Sequence, residues 1–483
     1  MSPKKNKKSK PKPIDLKLTL ENFGPLRKAE IDLKPMTIFI GPNNSGKSYA
    51  AMMFYSIFQV LARAGSGPLL DFEVGKKRIE SLSRLLAGLS GKGTPDSLSP
   101  EFLRELGRAF EPKLRRELRD DFASCYCAQP DVLVRSGTDE FRFDVRTPEL
   151  DISLKGDRRT QKLELALQPG DVPFMVPEDV SELLRSLKSP QREFSFLFVP
   201  SIYKISETVA ERMFQTFDRE LYYQPASRSG IMQGRRQIAM EAQGLTVVKI
   251  IRGQMPCPSN VVLSFIRNLL TSRTTPGPLL HIARDMEQEM ISGAVHSKPI
   301  NDNSKAELWY EFGDTQILLE RGSSALSELA PLILLVKSLL HPKDILVIEE
   351  PEAHLHPGAI RILAKYLVKL VREGVNLILT THSDYLLGQI NNYILAGSVR
   401  QKAASRKLKE DANLYLESKD VACYLFKAGE TPEEGFSTEE LKAEEDGFPE
   451  EEFTKVARAM YNQSARLRNR LIPEKRLADV AKG

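Results

Sequence analysis

Short apolar runs that end in polar residues mark the buried strands predicted for this chain. Two such strands are predicted over Ile345–Glu349 and Asn376–Thr380, followed by helical patterns over Gly358–Glu373 and Asp384–Asn391. This strand, helix, strand, helix order is typical of a parallel sheet with helices on its faces. A third apolar run, Ile38–Ile40, lies near the opposite end of the chain. We therefore expect one sheet that is assembled from distant parts of the sequence.

Alternating and helical patterns predict the remaining elements. Further strands are predicted over Leu16–Asn22, Lys28–Leu33, Glu140–Val145, Leu150–Leu154, Lys162–Leu167, Leu221–Gln224, Ala306–Phe312, Gln316–Glu320 and Val421–Lys427. Further helices are predicted over Glu101–Phe122, Glu178–Lys188, Ser206–Phe217, Asn260–Ser272, Leu279–Ser292 and Glu451–Leu471. The two strands on either side of Gly313-Asp314 predict a hairpin, and the acidic stretch Glu430–Glu452 is interpreted as a loop.

The run Ile38–Ile40 leads directly into a complete phosphate-binding pattern, Gly-x-x-x-x-Gly-Lys-Ser, and a helix is predicted to follow over Tyr49–Val60. In this context the backbone N–H groups of the loop and the helix N-terminus form an anion site. Lys47 is expected to reach the β- and γ-phosphates, and the Ser48 hydroxyl to ligate Mg²⁺. The other residues expected to line the phosphates are Asn43, Asn44, Ser45 and Gly46. The pattern predicts binding of ATP or GTP.

Two adjacent acids, Glu349 and Glu350, end the apolar run Ile345–Glu349. Open α/β sheets place their ligands at this end of their strands. We expect Glu349 to hold Mg²⁺ through water, and Glu350, on the opposite face of the strand, to orient and polarise the water that attacks the γ-phosphate. His382, after Asn376–Thr380, is a candidate to sense the γ-phosphate. The alternatives are a surface glutamate pair that caps the next helix and a structural histidine.

Composition limits the class of protein. The 483 residues have 41% hydrophobic content and a formal net charge of +5, enough for a large core and two or three structural units. We expect a cytoplasmic protein that does not span a membrane, because the longest apolar run, Leu329–Val336, is too short and the four cysteines have no disulfide or zinc spacing. A Lys-rich N-terminal tail is either a grip for nucleic-acid phosphates or a solvated end.

The order of these motifs resembles the ABC-type ATPases of the SMC, RecF and OLD-like group, and particularly the stand-alone ATPases of bacterial and archaeal defence systems. The matching segments are Leu18-x-Leu20-x-Asn22-Phe23, the phosphate loop, Glu349-Glu-Pro-Glu-Ala-His-Leu-His-Pro357 and Thr380-Thr-His-Ser383. The resemblance implies an α/β P-loop NTPase fold, an ABC-ATPase head with a mixed β-sheet flanked by helices and a largely helical insertion. It also implies ATP and Mg²⁺ as ligands.

Five segments are predicted on this basis. Residues 1–14 form a disordered basic tail, residues 15–64 the N-terminal lobe of the ATPase head, and residues 65–217 an inserted helical and mixed region. Residues 218–395 form the C-terminal lobe with the signature, the acidic strand end and the switch histidine, and residues 396–483 a strand and helix extension.

In that family two heads enclose two nucleotides, and a signature helix from the partner completes each site. The resemblance places this signature at Ser323 and Ser324, at the start of a helix, although an ordinary N-cap is the alternative. It places the family's glutamine, a nucleotide and metal contact, at Gln224. For Arg228 it leaves two alternatives open, a phosphate contact or an ion pair with a core carboxylate. His356 falls where the family has an acid at the dimer contact.

The resemblance implies a slow, regulatory ATPase that forms homodimers or larger homo-oligomers. OLD and Gabija proteins carry a Toprim nuclease domain that needs an Asp-x-Asp motif, and this sequence contains none. A separate effector, such as a nuclease or toxin in anti-phage defence, is therefore the favoured partner. The alternative is a DNA-binding ATPase of DNA repair in the manner of RecF, and a transporter subunit is disfavoured by the poor signature.

Overall fold

The computed structural model describes residues 14–66, 82, 98–172, 174–175, 198–234, 259–271, 275–300, 305–402, 414–449 and 459–468. Residues 1–13 of the basic tail lie outside the described residues, as does the predicted helix Glu178–Lys188. Of the predicted helix Glu451–Leu471, the described residues 459–468 are helical.

The strands and helices alternate along the chain much as the sequence predicts. The strands are β1 (Lys17–Phe23), β2 (Leu26–Asp32), β3 (Met36–Ile40), β4 (Glu140–Arg146), β5 (Leu150–Asp157), β6 (Leu163–Pro169), β7 (Leu221–Gln224), β8 (Ala294–Ile300), β9 (Lys305–Phe312), β10 (Thr315–Leu318), β11 (Ile345–Glu349), β12 (Asn376–Thr380), β13 (Val421–Ala428) and β14 (Phe436–Leu441). The helices are α1 (Lys47–Gly65), α2 (Pro100–Tyr126), α3 (Phe198–Met213), α4 (Asn260–Thr271), α5 (Leu280–Met286), α6 (Ser324–Ser338), α7 (Pro357–Arg372), α8 (Asp384–Lys402) and α9 (residues 459–468).

Within the described residues, one mixed sheet of eleven strands has the order β6-β5-β4-β1-β2-β14-β13-β3-β12-β11-β7. Its central strands β13, β3, β12, β11 and β7 are parallel neighbours. Because parallel strands end at the same edge, the segments that follow β3, β7, β11 and β12 meet there. These segments are the phosphate loop, the Pro225–Arg228 stretch, Glu350 and the Thr381–His382 pair.

Helices cover both faces of the central strands and form two apolar cores. On one face α1 and α2 pack around a core that includes Val347 of β11 and Ile378 of β12. On the other face α6, α7 and α8 pack around a core that includes Leu346 and Ile348 of β11. Successive residues of a strand point to opposite faces, so a strand buried on both sides is apolar throughout. This burial explains the continuous apolar runs in the sequence.

The structure corrects several sequence-based predictions of individual elements. The hairpin around Gly313 is present, but β10 ends at Leu318 instead of Glu320, and a third strand, β8, pairs with β9. The stretch interpreted as an acidic loop contains β14, which pairs with β13. The helix predicted over Asp384–Asn391 continues to Lys402. A π-helical turn follows α5 where one continuous helix was predicted.

The strands of the predicted insertion are part of the main sheet. Strand β4 pairs antiparallel with β1, with Leu18 opposite Val145, and β5 and β6 extend the sheet beyond it. Helix α2 packs against β6 and α1. Segment 65–217 therefore contributes a lobe that is continuous with the edge of the nucleotide-loop lobe.

Candidate nucleotide site

The phosphate loop has two positions at which glycine is required. Gly41 has a φ of +139°, and a Cβ there would lie 2.6 Å from the Phe426 carbonyl oxygen. Gly46, the N-cap of α1, has a φ of +94°, and its Cβ would lie 2.6 Å from Cδ2 of Leu26. Asn44, also left-handed with a φ of +60°, lies with Asn43 on the exposed rim of the loop. The glycines hold the loop in a shape that leaves its backbone N–H groups for an anion.

The side chain of Lys47 lies inside this loop and is hydrogen-bonded to its backbone. Its Nζ donates to the carbonyl oxygens of Gly41 at 3.0 Å and Pro42 at 2.8 Å, and lies 3.4 Å from Oγ of Ser45. Burial lowers the pKa of Lys47 to about 8, although the nearby carboxylates of Glu350 and Glu349 oppose this shift. The oxygens of a bound phosphate group carry negative charge, so they would be acceptors for the Lys47 ammonium. The loop therefore fits the anionic ligand that the sequence predicts.

Ser48 and Glu349 are in direct contact. The hydroxyl of Ser48 donates to Oε2 of Glu349 at 2.8 Å, and the hydroxyl of Tyr223 donates to Oε1 of the same carboxylate. Glu349 is 7% exposed, and burial raises its pKa, while the hydrogen bonds from Tyr223 and Ser48 act in the opposite direction. A buried carboxylate next to a hydroxyl is a donor set that suits Mg²⁺ and its waters. Tyr223 is a site residue that the sequence interpretation missed.

Glu350 lies beyond the end of β11, so its predicted place on the opposite face of the strand is wrong. Its φ of +43° turns the chain away, and its N–H donates to the Thr380 carbonyl at 2.9 Å. Its side chain is 45% exposed, and Oε1 lies 3.8 Å from Nε2 of His382. Burial lowers the pKa of His382, and the Lys47 ammonium contributes to this. The structure thus brings Glu350, His382 and Lys47 to one place.

Glu352 orders the segment that carries His382. Its Oε1 accepts hydrogen bonds from the Thr381 hydroxyl at 2.5 Å and from the His382 N–H at 3.0 Å. Burial raises the pKa of Glu352. The sequence interpretation missed this residue, although the second acid of Glu-Glu-Pro-Glu was a visible signal.

Gln224 ends β7 next to the acidic strand end, since it is paired in register with Ile348. It is 2% exposed, and no partner for its Oε1 is found in the described part of the chain. A buried amide oxygen without a partner is costly unless a ligand or water satisfies it. This orphaned oxygen fits a bound metal ion with its waters, which is the role that the resemblance implies for Gln224.

Arg228 and the candidate signature serines both lie near the start of α6. The Nε of Arg228 lies 2.9 Å from Oε2 of Glu328 in a fully buried ion pair, so the structure has the second of the two predicted alternatives. Ser323 is the N-cap of α6, and its Oγ accepts from the Leu326 N–H at 3.2 Å. Ser323 and Ser324 are both exposed. The exposed N-cap His356 of α7 accepts through Nδ1 from Gly358 N–H at 3.2 Å.

Two kinds of feature are absent from the described residues. No cluster of three or more His, Cys, Asp or Glu side chains that would hold a metal ion by themselves occurs among them. In the same ranges no helix is long and apolar enough to cross a membrane.

Comparison with protein families places the chain. The model of the family described as "AAA domain, putative AbiEii toxin, Type IV TA system" matches residues 36–388, which run from β3 into α8 and contain every candidate site residue. The chain belongs to this family. No curated protein matches the sequence. Family and site together define an α/β P-loop nucleotide-binding domain of the AAA type.

Solved structures with a similar chain course include heads of SMC proteins. The SMC head bound to the C-terminal winged-helix domain of ScpA shares 12% identity over 89% of this chain and 98% of its own, with a TM-score of 0.39. The SMC head domain from Thermotoga maritima shares 12% identity over the same fractions, with a TM-score of 0.33. The SMC head with an extended coiled coil, bound to the C-terminal domain of ScpA derived from Pyrococcus furiosus, shares 12% identity. The match covers 92% of this chain and 98% of its own, with a TM-score of 0.37.

Proposed function

We propose that the protein binds ATP with Mg²⁺ and hydrolyses it slowly, and that it does so in an assembly of at least two copies. The observation that carries the proposal is the convergence of Lys47, the Ser48–Glu349 pair and the Glu350–His382 pair at one edge of the sheet. These side chains supply a phosphate grip, a metal anchor and a water-orienting carboxylate.

Each residue has a distinct part in this proposal. Lys47 would exchange its two backbone carbonyl partners for phosphate oxygens. Ser48, Glu349 and Gln224 would hold the metal ion, which when bound neutralises phosphate charge. Glu350 would orient the attacking water, because its carboxylate is exposed while its backbone is fixed to Thr380. His382 would donate to the γ-phosphate from a position that Glu352 holds.

The exposed start of α6 supports assembly around ATP. The contacts of Ser323 are local to its own helix, and both Ser323 and Ser324 face outward at a helix N-terminus. Such a terminus attracts phosphate. In the proposed assembly a second copy brings this helix start to the first copy's nucleotide. Each site is then complete only in the assembly.

The proposed biological role is to regulate a separate effector, such as a nuclease or toxin, in anti-phage defence. The description of the family names a toxin and a toxin–antitoxin system, which supports this role. The OLD-like resemblance of Glu349-Glu-Pro-Glu-Ala-His-Leu-His-Pro357 supports it as well. In this role ATP binding holds the effector and hydrolysis releases it, or the reverse.

A second candidate function is DNA binding in repair, and one observation favours it. A cleft of about 650 Å³ between α2 and the start of β6 is lined by four basic residues, Arg115, Arg116, Arg119 and Lys162, and by one acidic residue, Glu164. Such a cleft fits a phosphate backbone. The test is DNA affinity as a function of salt, with Arg115→Glu/Arg119→Glu as the variant. A salt-sensitive affinity that this variant abolishes favours repair, and an affinity below detection in low salt removes this candidate.

Two variants test the proposed ATPase. Lys47→Ala should abolish ATP binding, because the loop loses its only interior ammonium in the described structure. Glu350→Gln should preserve binding, slow hydrolysis and trap the assembly, which size-exclusion chromatography with light scattering would detect. Micromolar ATP affinity in Lys47→Ala contradicts the role of the loop. Hydrolysis by Glu350→Gln at the wild-type rate contradicts the role of Glu350.

A further inference from the structure

Arg228 connects the acidic strand end to helix α6. Its NH1 donates to the Glu349 carbonyl at 2.7 Å and its NH2 to the Glu350 carbonyl at 3.1 Å. Its Nε donates to the Glu328 carbonyl at 3.2 Å and forms the 2.9 Å ion pair with the Glu328 carboxylate. The side chains of Arg228 and Glu328 are 3% and 0% exposed. The buried guanidinium of Arg228 therefore contacts both the end of β11 and helix α6.

The Glu349 and Glu350 carbonyls that Arg228 contacts belong to the peptide groups on either side of the Glu350 Cα. Glu350 has a φ of +43°, a conformation that a glutamate keeps only when its surroundings hold it. Its N–H is held from the other side by Thr380. Arg228 and Thr380 together fix the backbone from which the Glu350 carboxylate projects.

The other partner of Arg228 lies just inside the exposed start of α6. Glu328 is in the first turns of this helix, whose N-cap Ser323 accepts the N–H of Ser327 through its carbonyl at 2.9 Å. The carboxylate of Glu328 also accepts from the Ser229 N–H at 3.0 Å. A shift of the helix start would therefore move Glu328 and, through it, Arg228.

We infer that Arg228 is a positioning residue that couples the start of α6 to the backbone of Glu350, so that engagement of Ser323 or Ser324 sets the orientation of the catalytic carboxylate in the same chain. The inference rests on the proposed function. It makes hydrolysis at one site depend on whether α6 of that copy has engaged the second nucleotide.

The chemistry of the pair favours this role over simple stabilisation. A buried ion pair is often no more stabilising than apolar side chains of the same volume. An arginine fork, in contrast, fixes several acceptors at defined angles, which a lysine cannot do. Burial lowers the pKa of Arg228, and the Glu328 carboxylate is the largest influence that opposes this shift. The Glu328 carboxylate thus helps to keep the guanidinium charged. The geometry of the guanidinium then sets the positions of the Glu349 and Glu350 carbonyls.

The first test is the steady-state kinetics of Arg228→Lys. This variant keeps the charge next to Glu328 and loses the fork that reaches the two carbonyls. The expected result is a kcat lower by about 10- to 100-fold, the effect of losing charged hydrogen bonds, with KM for ATP within about twofold of wild type. A kcat within twofold of wild type overturns the inference, as does a rise in KM that accounts for the whole loss.

The second test is amide hydrogen exchange in the same variant, which needs no hydrolysis. The N–H of Ala353 donates to the Glu350 carbonyl at 3.0 Å, so exchange at Glu350 and Ala353 reports on the turn. Exchange there should accelerate at least ~10-fold in Arg228→Lys, while that of β12 stays unchanged. Unchanged exchange at Glu350 and Ala353 overturns the inference, whatever the ATPase rate.

The control breaks an ion pair at the other end of the same helix. Lys337 of α6 donates to the Glu287 carboxylate at 2.7 Å. Glu287→Gln should lower the unfolding temperature without changing kcat or exchange at Glu350. If wild-type protein neither binds nor hydrolyses ATP, the proposed function fails on its own, and the exchange experiment still decides the role of Arg228.

Discussion

The hydroxyl of Ser48 donates a hydrogen bond of 2.8 Å to Oε2 of Glu349, across 301 positions of sequence. The two residues belong to the first turn of α1 and the last position of β11. The contact exists because β3 and β11 flank β12 in parallel register and end at the same edge. The proposed metal anchor is therefore organised by the sheet itself.

Replacement of Ser48 should weaken the dependence of ATP binding on metal. Ser48→Ala removes the hydroxyl at this anchor, so the Mg²⁺ concentration for half-maximal ATP binding should rise by about 10- to 100-fold. ATP affinity in excess EDTA should stay unchanged. Titration of ATP binding with Mg²⁺ measures both. Ser48→Thr, which keeps a hydroxyl, is the matched control, and an Ala variant with the wild-type Mg²⁺ midpoint would contradict the assignment.

Tyr223→Phe should shift the pH dependence of activity. The Tyr223 hydroxyl holds down the pKa of the buried Glu349 carboxylate, so its loss should raise that pKa further. The acidic limb of kcat/KM should move to higher pH, and the variant should lose about 1–3 kcal/mol of stability. A pH–rate profile and chemical denaturation are the measurements. Tyr126→Phe, which loses a 2.8 Å bond to the Tyr49 carbonyl instead, should leave the acidic limb in place.

The strands around the site could be predicted from sequence because burial on both faces leaves a direct signature. Strands β7, β11 and β12 begin and end at the predicted residues. Strand β8 was missed because its sequence, with His296 and Pro299, does not alternate. Strand β14 was missed because its polar residues are held by backbone pairing with β13, which the side chains do not reveal.

The side chains of the candidate site were only partly predictable. The phosphate-loop pattern and the Glu349–Glu350 pair are each contiguous in the sequence, so their chemical roles could be predicted from the residues alone. The contact of Tyr223 with Glu349 depends on strand register across 126 positions, and no local pattern reports register. The same holds for Arg228, whose two alternatives only a structure could separate.

Substitution of the two serines of α6 should separate capping from assembly. Ser323→Ala removes the N-cap bond to Leu326 and should cost about 0.5–2 kcal/mol of stability. Ser324→Ala leaves this bond intact and should leave stability unchanged, while it weakens ATP-dependent assembly. Denaturation and light scattering with ATP measure the two effects. Assembly of Ser324→Ala at the wild-type ATP concentration would place the partner contact elsewhere.

Ionisation of Asp344 should lower the stability of the protein as the pH rises from about 4 to about 6. It is 6% exposed at the start of β11, and burial raises its pKa to about 6 although it accepts the His341 N–H at 2.7 Å. Because the folded-state pKa lies above the unfolded value, the contribution is full below the unfolded pKa and is lost as pH rises through about 6. The loss is about 3 kcal/mol. Asp344→Asn should lack this pH-dependent loss. Chemical denaturation of both proteins at pH 4 and pH 7 should therefore show that the stability of the variant relative to wild type increases from pH 4 to pH 7.

Binding of ATP should take up protons in mildly alkaline solution. Burial lowers the pKa of Lys47 to about 8, so at pH 8.5 the free protein holds Lys47 mostly neutral. A bound phosphate favours the ammonium, so binding at that pH should take up a fraction of a proton. Calorimetry in buffers of different ionisation enthalpy measures this uptake. Lys47→Arg stays charged at that pH, so whatever binding it retains should be free of proton uptake. Wild-type binding without proton uptake at pH 8.5 would show that Lys47 is already charged in the free loop.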